Sequence, residues 1–313
     1  MNKILYEKYC DENEVPLFLT SKWLDIVAKN SWDFTFIQDG ERYIAIMPYV
    51  KKNNIINMPY LTPFLGPNFI NKKNKYFDQI SNEHKIYDEL LQKLPKFEYF
   101  EQRLHYSITN WLPFHWNGYQ QTTKYTYILE NISDIDLIWN GFRENIRREI
   151  RKSKKNGIVV SYEDVSDKLF DFLLNNLERQ RKSVPFTKEF FMNIVSETQK
   201  LNCGKIFVAK LDNIIIGAVF IVYDKNSAYY LTGGVDEMYK NFGAMSLLLW
   251  EAIITMSALV KKFDFEGSMI PGVERFFRSF GAKQNQYFEI IKNDSKIRKI
   301  KKNVFEIIKT IIR

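Results

Sequence analysis

Two carboxylates, a hydroxyl and two arginines crowd one short stretch of the sequence, FDFEGSMIPGVERFFRSFG, from Phe263 to Gly281. In an extended segment successive side chains point to opposite sides, so Phe263 and Phe265 face one way and Asp264 and Glu266 the other. The strand should end at Gly267-Ser268, and Pro271-Gly272 should open a helical turn bearing Glu274, Arg275 and Arg278. A carboxylate placed there can accept a proton from an attacking amine. Arginines or backbone amides can steady the oxyanion that forms, so the chemistry that fits is acyl transfer, with Asp264, Glu266, Arg275 and Arg278 as the catalytic candidates and Ser268 beside them. The same residues also suit a purely structural ion-pair cluster of Asp264 or Glu266 with Arg275 or Arg278. Phe276, Phe277 and Phe280 are expected in the core.

Two further constellations suit binding. The segment Arg143 to Lys155 carries seven cationic residues against two acidic ones. At helical spacing Arg143, Arg147, Arg151 and Lys154 share a face, opposite an apolar stripe of Phe142, Ile146 and Ile150. Such a ridge can hold phosphates, the arginines bidentately; a merely solvated helix face is the alternative. In LTGGVDEMYKNFGAMSLLLWEAI, Tyr229 and Tyr230 lie just ahead of Gly233-Gly234, and Lys240 and Gly243 lead into a helix. Backbone amides freed at a helix start make an anion site, although Gly243 also suits a plain helix cap. Metal and thiol chemistry fit poorly. His84, His105 and His115 lie apart without ligand spacing, and Cys10 and Cys203 have no histidine neighbours.

The elements that must position these groups can be read from periodicity. The chain has 313 residues, 45% hydrophobic and 16% aromatic, enough for two ordinary domains. A helix capped by Thr20 or Ser21, a hairpin turning at Asp39 to Glu41, a helix near residues 73–93 and a strand at FEYFEQ are expected in the first half. After YTYILE the second half should run as one long charged helix (134–156), a strand, two helices and a three-stranded meander. An amphipathic helix (243–259), the strand KKFDFEG, a short helix, the strand QYFEIIK and a basic tail should follow. That order describes an α+β fold, with a boundary between residues 116 and 136.

The net charge of +8 favours anionic partners such as nucleotide phosphates, nucleic acid or an acidic membrane surface. The N-terminus turns acidic before any long apolar stretch, and the longest apolar run, Ile214 to Tyr223, falls short of a membrane span. A cytoplasmic protein, touching the inner membrane face, is expected. A competing reading is a non-catalytic protein that binds RNA or anionic membrane through the basic helix and the tail KIRKIKKNVFEIIKTIIR, where Ile297, Ile300, Val304, Ile307 and Ile308 share a face.

In their order, "RENIRREIRKSKKNGI", "GAVFIVYDKNSAYYLTGG", "LLLWEAI" and "FDFEGS…FFRSFGA" resemble the C-terminal GNAT-type domain of FemAB-like proteins, over roughly residues 134–291. The first half, with its hairpin and "LTPFLGP", fits the degenerate GNAT-like unit that such proteins carry ahead of it. The resemblance implies two fused GNAT-like domains, 1–125 and 126–313, each a mixed central sheet flanked by helices. It implies an N-acyltransferase of cell-wall type, with acyl-CoA or aminoacyl-tRNA as co-substrate and no tightly bound cofactor or metal. In the FKxxFG segment of Fem-type transferases Phe277 takes the lysine's place here, followed by Arg278. The GNAT loop R/QxxGxG/A for the CoA diphosphate survives as Lys240, Gly243 and Met245.

Overall fold

The computed structural model describes residues 3–70, 75–179 and 182–294. In chain order the elements are α1 (Lys3–Glu12), α2 (Ser21–Ala28), β1 (Trp32–Asp39), β2 (Arg42–Lys52), β3 (Ile55–Ile56), β4 (Asn68–Phe69), α3 (Tyr76–Gln92), β5 (Tyr99–Arg103), α4 (Leu112–Trp116) and β6 (Gln120–Leu129). Then come α5 (Ile135–Gly141), α6 (Glu144–Lys155), β7 (Val159–Tyr162), α7 (Ser166–Arg179), α8 (Lys188–Lys200), β8 (Gly204–Leu211), β9 (Ile214–Tyr223), β10 (Ser227–Val235), α9 (Ala244–Ser257), β11 (Lys262–Asp264), α10 (Pro271–Arg278) and β12 (Lys283–Asn293). A short 3-10 turn, Glu237–Phe242, joins β10 to α9.

The chain forms two compact units, Met1–Lys124 with Gln286–Arg313, and Tyr125–Asn285. Residues 286–294 thus group with the first unit, while the sequence reading sets the units as 1–125 and 126–313. The basic tail beyond residue 294 lies outside the described residues.

Each unit is a mixed sheet with helices against it, and the two share one connectivity. In the first, β1 pairs antiparallel with β2 and β2 with β3. Helix α3 then crosses over, so that β5 lies parallel to β3. In the second, β8, β9 and β10 form the antiparallel meander, and α9 crosses over to bring β11 parallel to β10. On its far side each parallel strand has an antiparallel partner drawn from the opposite half of the sequence: β12 pairs with β5 and β6 with β11. Phe288 and Ile290 of β12 are core residues of the first unit, beside Phe100 and Leu104.

Local chemistry explains most boundaries. The Thr20 hydroxyl accepts from the Trp23 amide at the start of α2, and Thr187 does the same for Phe190 at the start of α8. The expected single helix over 134–156 is two. Asp134 caps α5, and the chain leaves helical geometry at Phe142 and Arg143, where the Arg143 amide bonds to the Ser279 carbonyl at 2.9 Å. The break turns Phe142 into the core against Trp250 and Phe280, ring centroids 5.2 and 5.1 Å away. Helix α9, expected to be amphipathic, is buried on nearly every side, because α6 packs along it opposite the sheet and Trp139 of α5 lies against Trp250.

Candidate active site

The parallel pair β10–β11 supplies an opening. Their register runs Ser227↔Lys262, Ala228↔Phe263, Tyr229↔Asp264 and then stops. Strand β10 continues to Val235, bonded to β9 on its other edge, with Leu231 as an extra residue where the register shifts between Tyr230 and Thr232. The β11 chain instead swings toward β6. The Phe265 amide bonds to the Tyr127 carbonyl at 2.9 Å, and Glu266 and Gly267 both adopt left-handed φ, 61° and 57°. Beyond Tyr230 the β10 backbone therefore borders a gap on its β11 side. Beside it Tyr230 meets Phe277 edge-on, ring centroids 5.9 Å apart, and Phe277 stacks on Phe265 at 5.3 Å.

The first unit has the corresponding place, and it is filled. After Ile56↔Phe100 the chain returns so that the Leu65 amide bonds to the Arg103 carbonyl at 2.7 Å and Leu65 bridges Leu104. Gly66, with φ 120°, fits against Leu104 so closely that a Cβ would come within 2.6 Å of its Cδ2. In the second unit the parallel pairing ends at Tyr229↔Asp264 while β10 runs on to Val235.

Asp264 sits at the inner end of the gap and is only 4% exposed. Its Oδ1 accepts from the Thr126 hydroxyl and, at 2.8 Å, from the Glu266 amide. It thus fixes the turn that carries Glu266 out of the strand. Burial pushes its carboxyl up to about 6, with Glu130 adding to the rise and the Thr126 and Glu266 hydrogen bonds opposing it. A folded protein that holds this proton, after the unfolded chain has released it near the ordinary value of 3.8, loses stability as pH rises between those limits. Asp264→Asn should abolish that slope, at most about 3 kcal/mol between pH ~4 and ~7, in urea titrations at a series of pH values. Equal slopes in both proteins would contradict the assignment.

Glu266, half-buried with its Oε1 turned inward, lies just past the end of β11 in a backbone conformation that non-glycine residues seldom adopt. Of the two arginines, Arg278 is tied to its own helix: its Nε donates to Glu274 Oε1 at 2.7 Å. Glu274 also accepts from the Tyr127 hydroxyl at 2.8 Å, and Gln284 donates to that hydroxyl at 2.6 Å. These hydrogen bonds hold the Glu274 carboxyl below its ordinary range, while burial first, and then the bond to Glu274, raises the Tyr127 phenol. Arg275 is exposed and makes no ion pair among the described residues. The expected cluster is therefore not one body: Glu274 with Arg278 on α10 is one group, and Asp264 with Thr126 is another. Ser268 accepts from the Ile270 amide at 3.0 Å, at the entry to α10. Phe277, in the lysine's place, is 5% exposed and part of the core.

The other sequence candidates are placed as follows. Tyr229 is buried and donates to Asp224, whereas Tyr230 borders the gap. Gly233 and Gly234 lie within β10, where Asn176 of α7 donates to the Gly233 carbonyl at 3.1 Å and a Cβ on Gly234 would come within 2.8 Å of Phe172. The bareness of Gly234 serves the packing of α7, and that of Gly233 the close approach of Val219 and the Tyr230 hydroxyl. Lys240 pairs with Glu237, which Arg179 also holds. The basic ridge is rearranged: Arg143 precedes the helix, and Arg147 and Arg151 both fold onto Glu144 at 2.9 and 3.0 Å. Lys154 pairs with Glu251. Arg143, Arg148 and Lys155 make no ion pair among the described residues, so the uncompensated charge is distributed differently from the expected face. Sequence reading missed Thr126, Tyr127 and Gln284, because 138 to 157 residues separate them from their partners. Among the described residues no group of three metal-ligating side chains occurs.

Residues 140–278 match the family model of the acetyltransferase (GNAT) domain. No curated protein sequence matches the chain. Among solved structures, that of FemX superposes with a TM-score of 0.64 at 12% identity, covering 92% of this chain and 96% of that one. L-PGS from Bacillus licheniformis gives 0.53 at 14%, covering 95% and 93%. The C-terminal domain of a putative lysylphosphatidylglycerol synthetase from Agrobacterium fabrum gives 0.53 at 11%, covering 88% and 91%. At these identities the likeness is one of fold, and it extends over both units.

Proposed function

We infer that this chain, an acyltransferase with a GNAT-type domain at residues 140–278, joins an activated acyl or aminoacyl group to an amine of a cell-envelope or sugar-nucleotide precursor. The observation that carries this reading is the parting of β10 and β11 after Tyr229↔Asp264, with β10 running on to Val235 and Glu266 following the end of β11. A donor carbonyl lying along β10 beyond Tyr229 can accept hydrogen bonds from strand amides there that β11 does not pair. The bulge at Leu231 turns the backbone there out of regular register. The amine nitrogen bonds to the carbonyl carbon as Glu266 takes its proton. The bond to the donor's leaving group then breaks, and the proton passes to that group. Arg278, held in place through Glu274 and Tyr127, balances negative charge on donor or acceptor.

Acyl-CoA and aminoacyl-tRNA are the two donor classes this reading entertains, and the unpaired Arg143, Arg148 and Lys155 support a phosphate-bearing partner. No described helix is long and apolar enough to cross a membrane. The proposed setting is the cytoplasm, with the acceptor at the inner membrane face. Glu266→Gln and Arg278→Ala are each expected to lower turnover about tenfold or more with little change in melting temperature. Wild-type rates in both would remove the assignment. Thermal shifts with a mixed acyl-CoA pool and with charged tRNA are expected to show stabilisation by one donor class alone.

A further inference from the structure

The turn that leads from β10 into α9 looks, in isolation, like a seat for a diphosphate. Gly243 is left-handed, with φ 80°, and the first amides of a 14-residue helix follow it. The surroundings of that turn are those of a closed contact. Helix α6 passes against it so tightly that a Cβ on Gly243 would come within 2.5 Å of the Glu149 carbonyl oxygen and 3.3 Å of the Glu149 Cα. The Glu149 side chain reaches the same helix end, where its Oε2 accepts from the Ser246 hydroxyl at 2.5 Å. Lys152, one turn further along α6, donates to the Asn241 carbonyl at 2.8 Å. Ala244 and Ser246 are each 1% exposed, so nothing in solution reaches the amides beside them without moving α6.

We propose that Glu149 and the α6 main chain close this turn, and that the protein does not hold an acyl donor there by a CoA-type diphosphate. The residues fail the group on three grounds. The space is taken by protein backbone, the helix end already faces a carboxylate, and the cations nearest the turn, Lys152 and Lys240, are engaged by Asn241 and Glu237. A second carboxylate-sized negative charge is repelled where a first one sits, so Glu149 acts as a specificity determinant against diphosphates. The phosphates of the true donor must then be met elsewhere. This inference rests on the acyltransferase reading only for its relevance to the donor, because the closure itself is a property of α6 and α9.

Hydrogen exchange measured on the full chain tests it, with acetyl-CoA and inorganic pyrophosphate as separate probes at about 1 mM, the weak end of ordinary substrate affinities. Exchange of the amides from Gly243 to Leu247 is expected to be the same with either probe as without. Slowing of those amides by about threefold or more with either probe overturns the proposal. The result is read independently of turnover. If no donor supports acylation of any amine, the functional reading fails and the closure stands. If acetyl-CoA protects Gly243–Leu247, the closure fails and the acyltransferase reading stands with CoA as its donor.

Discussion

Gly267→Ala is expected to cost about 4 kcal/mol or more of stability, the largest effect of any single methyl group added near the gap. The backbone there has φ 57°, which an L side chain tolerates poorly. A Cβ would overlap the Tyr125 carbonyl oxygen and lie 2.6 Å from the Thr126 Cα. Both obstacles are main chain of β6, so no side-chain rotation relieves them. Either β11 must lift from β6, breaking the bond from the Phe265 amide to Tyr127, or the turn must unwind and release Asp264 from the Glu266 amide. Gly272→Ala is the control, since nothing lies within 4 Å of a Cβ there, it sits in the first turn of α10 and it has no left-handed φ. That variant should be neutral or more stable by about 0.5 kcal/mol. Urea denaturation of the pair gives the answer, and comparable stability in both would show that the turn is not fixed as described.

A chain ended after Asn285 should lose the first unit while keeping the second. The lost strand supplies five register pairs to β5, from Glu289↔Arg103 to Asn293↔Tyr99, and two core side chains, Phe288 and Ile290. Removing two large buried side chains costs roughly 2–5 kcal/mol each, before the ladder bonds are counted. A unit of ordinary stability does not survive that. Tyr125–Asn285 is continuous in sequence and retains its own ladder from β6 through β11, β10, β9 and β8 to β7. Limited proteolysis is expected to cut peptides before Lys124 about tenfold faster or more than in a chain ended after Asp294, with those of the second unit cut at similar rates. Equal resistance of the first unit in both chains would mean that β5 does not depend on β12.

Much of the fold was legible where local signals decide. The meander β8–β9–β10 shows in the sequence because Asp212-Asn213 and Lys225-Asn226 punctuate three apolar runs, and both Asp212 and Asn213 take the left-handed φ that such turns need. Helices α7 and α8 follow their periodicity and caps. What failed depended on distant partners. The helix break at Phe142 follows Asn140-Gly141, a pair that favours helix ends, but what turns Phe142 into the core is Trp250 and Phe280, more than a hundred residues away. The stretch Phe263 to Gly281 was a sound place to look, yet the sequence did not divide it. Asp264 became a buried strut because Thr126 lies beside it, and Glu274 took Arg278 because Tyr127 and Gln284 hold it there. Charge counting along α6 likewise found the basic segment, but not which cations would be spent on Glu144 and Glu251.

The pairing of β12 with β5 also sets a timetable. During synthesis the residues up to Lys124 emerge before Tyr125–Asn285, but the strand that completes their sheet is made only after it. Tyr125–Asn285 emerges as one uninterrupted stretch and can close on itself earlier. The second unit is thus free to fold first, the reverse of the usual order on the ribosome. Until β12 arrives, one edge of β5 stays open, and nascent chains are at their most vulnerable to wrong pairing during that interval.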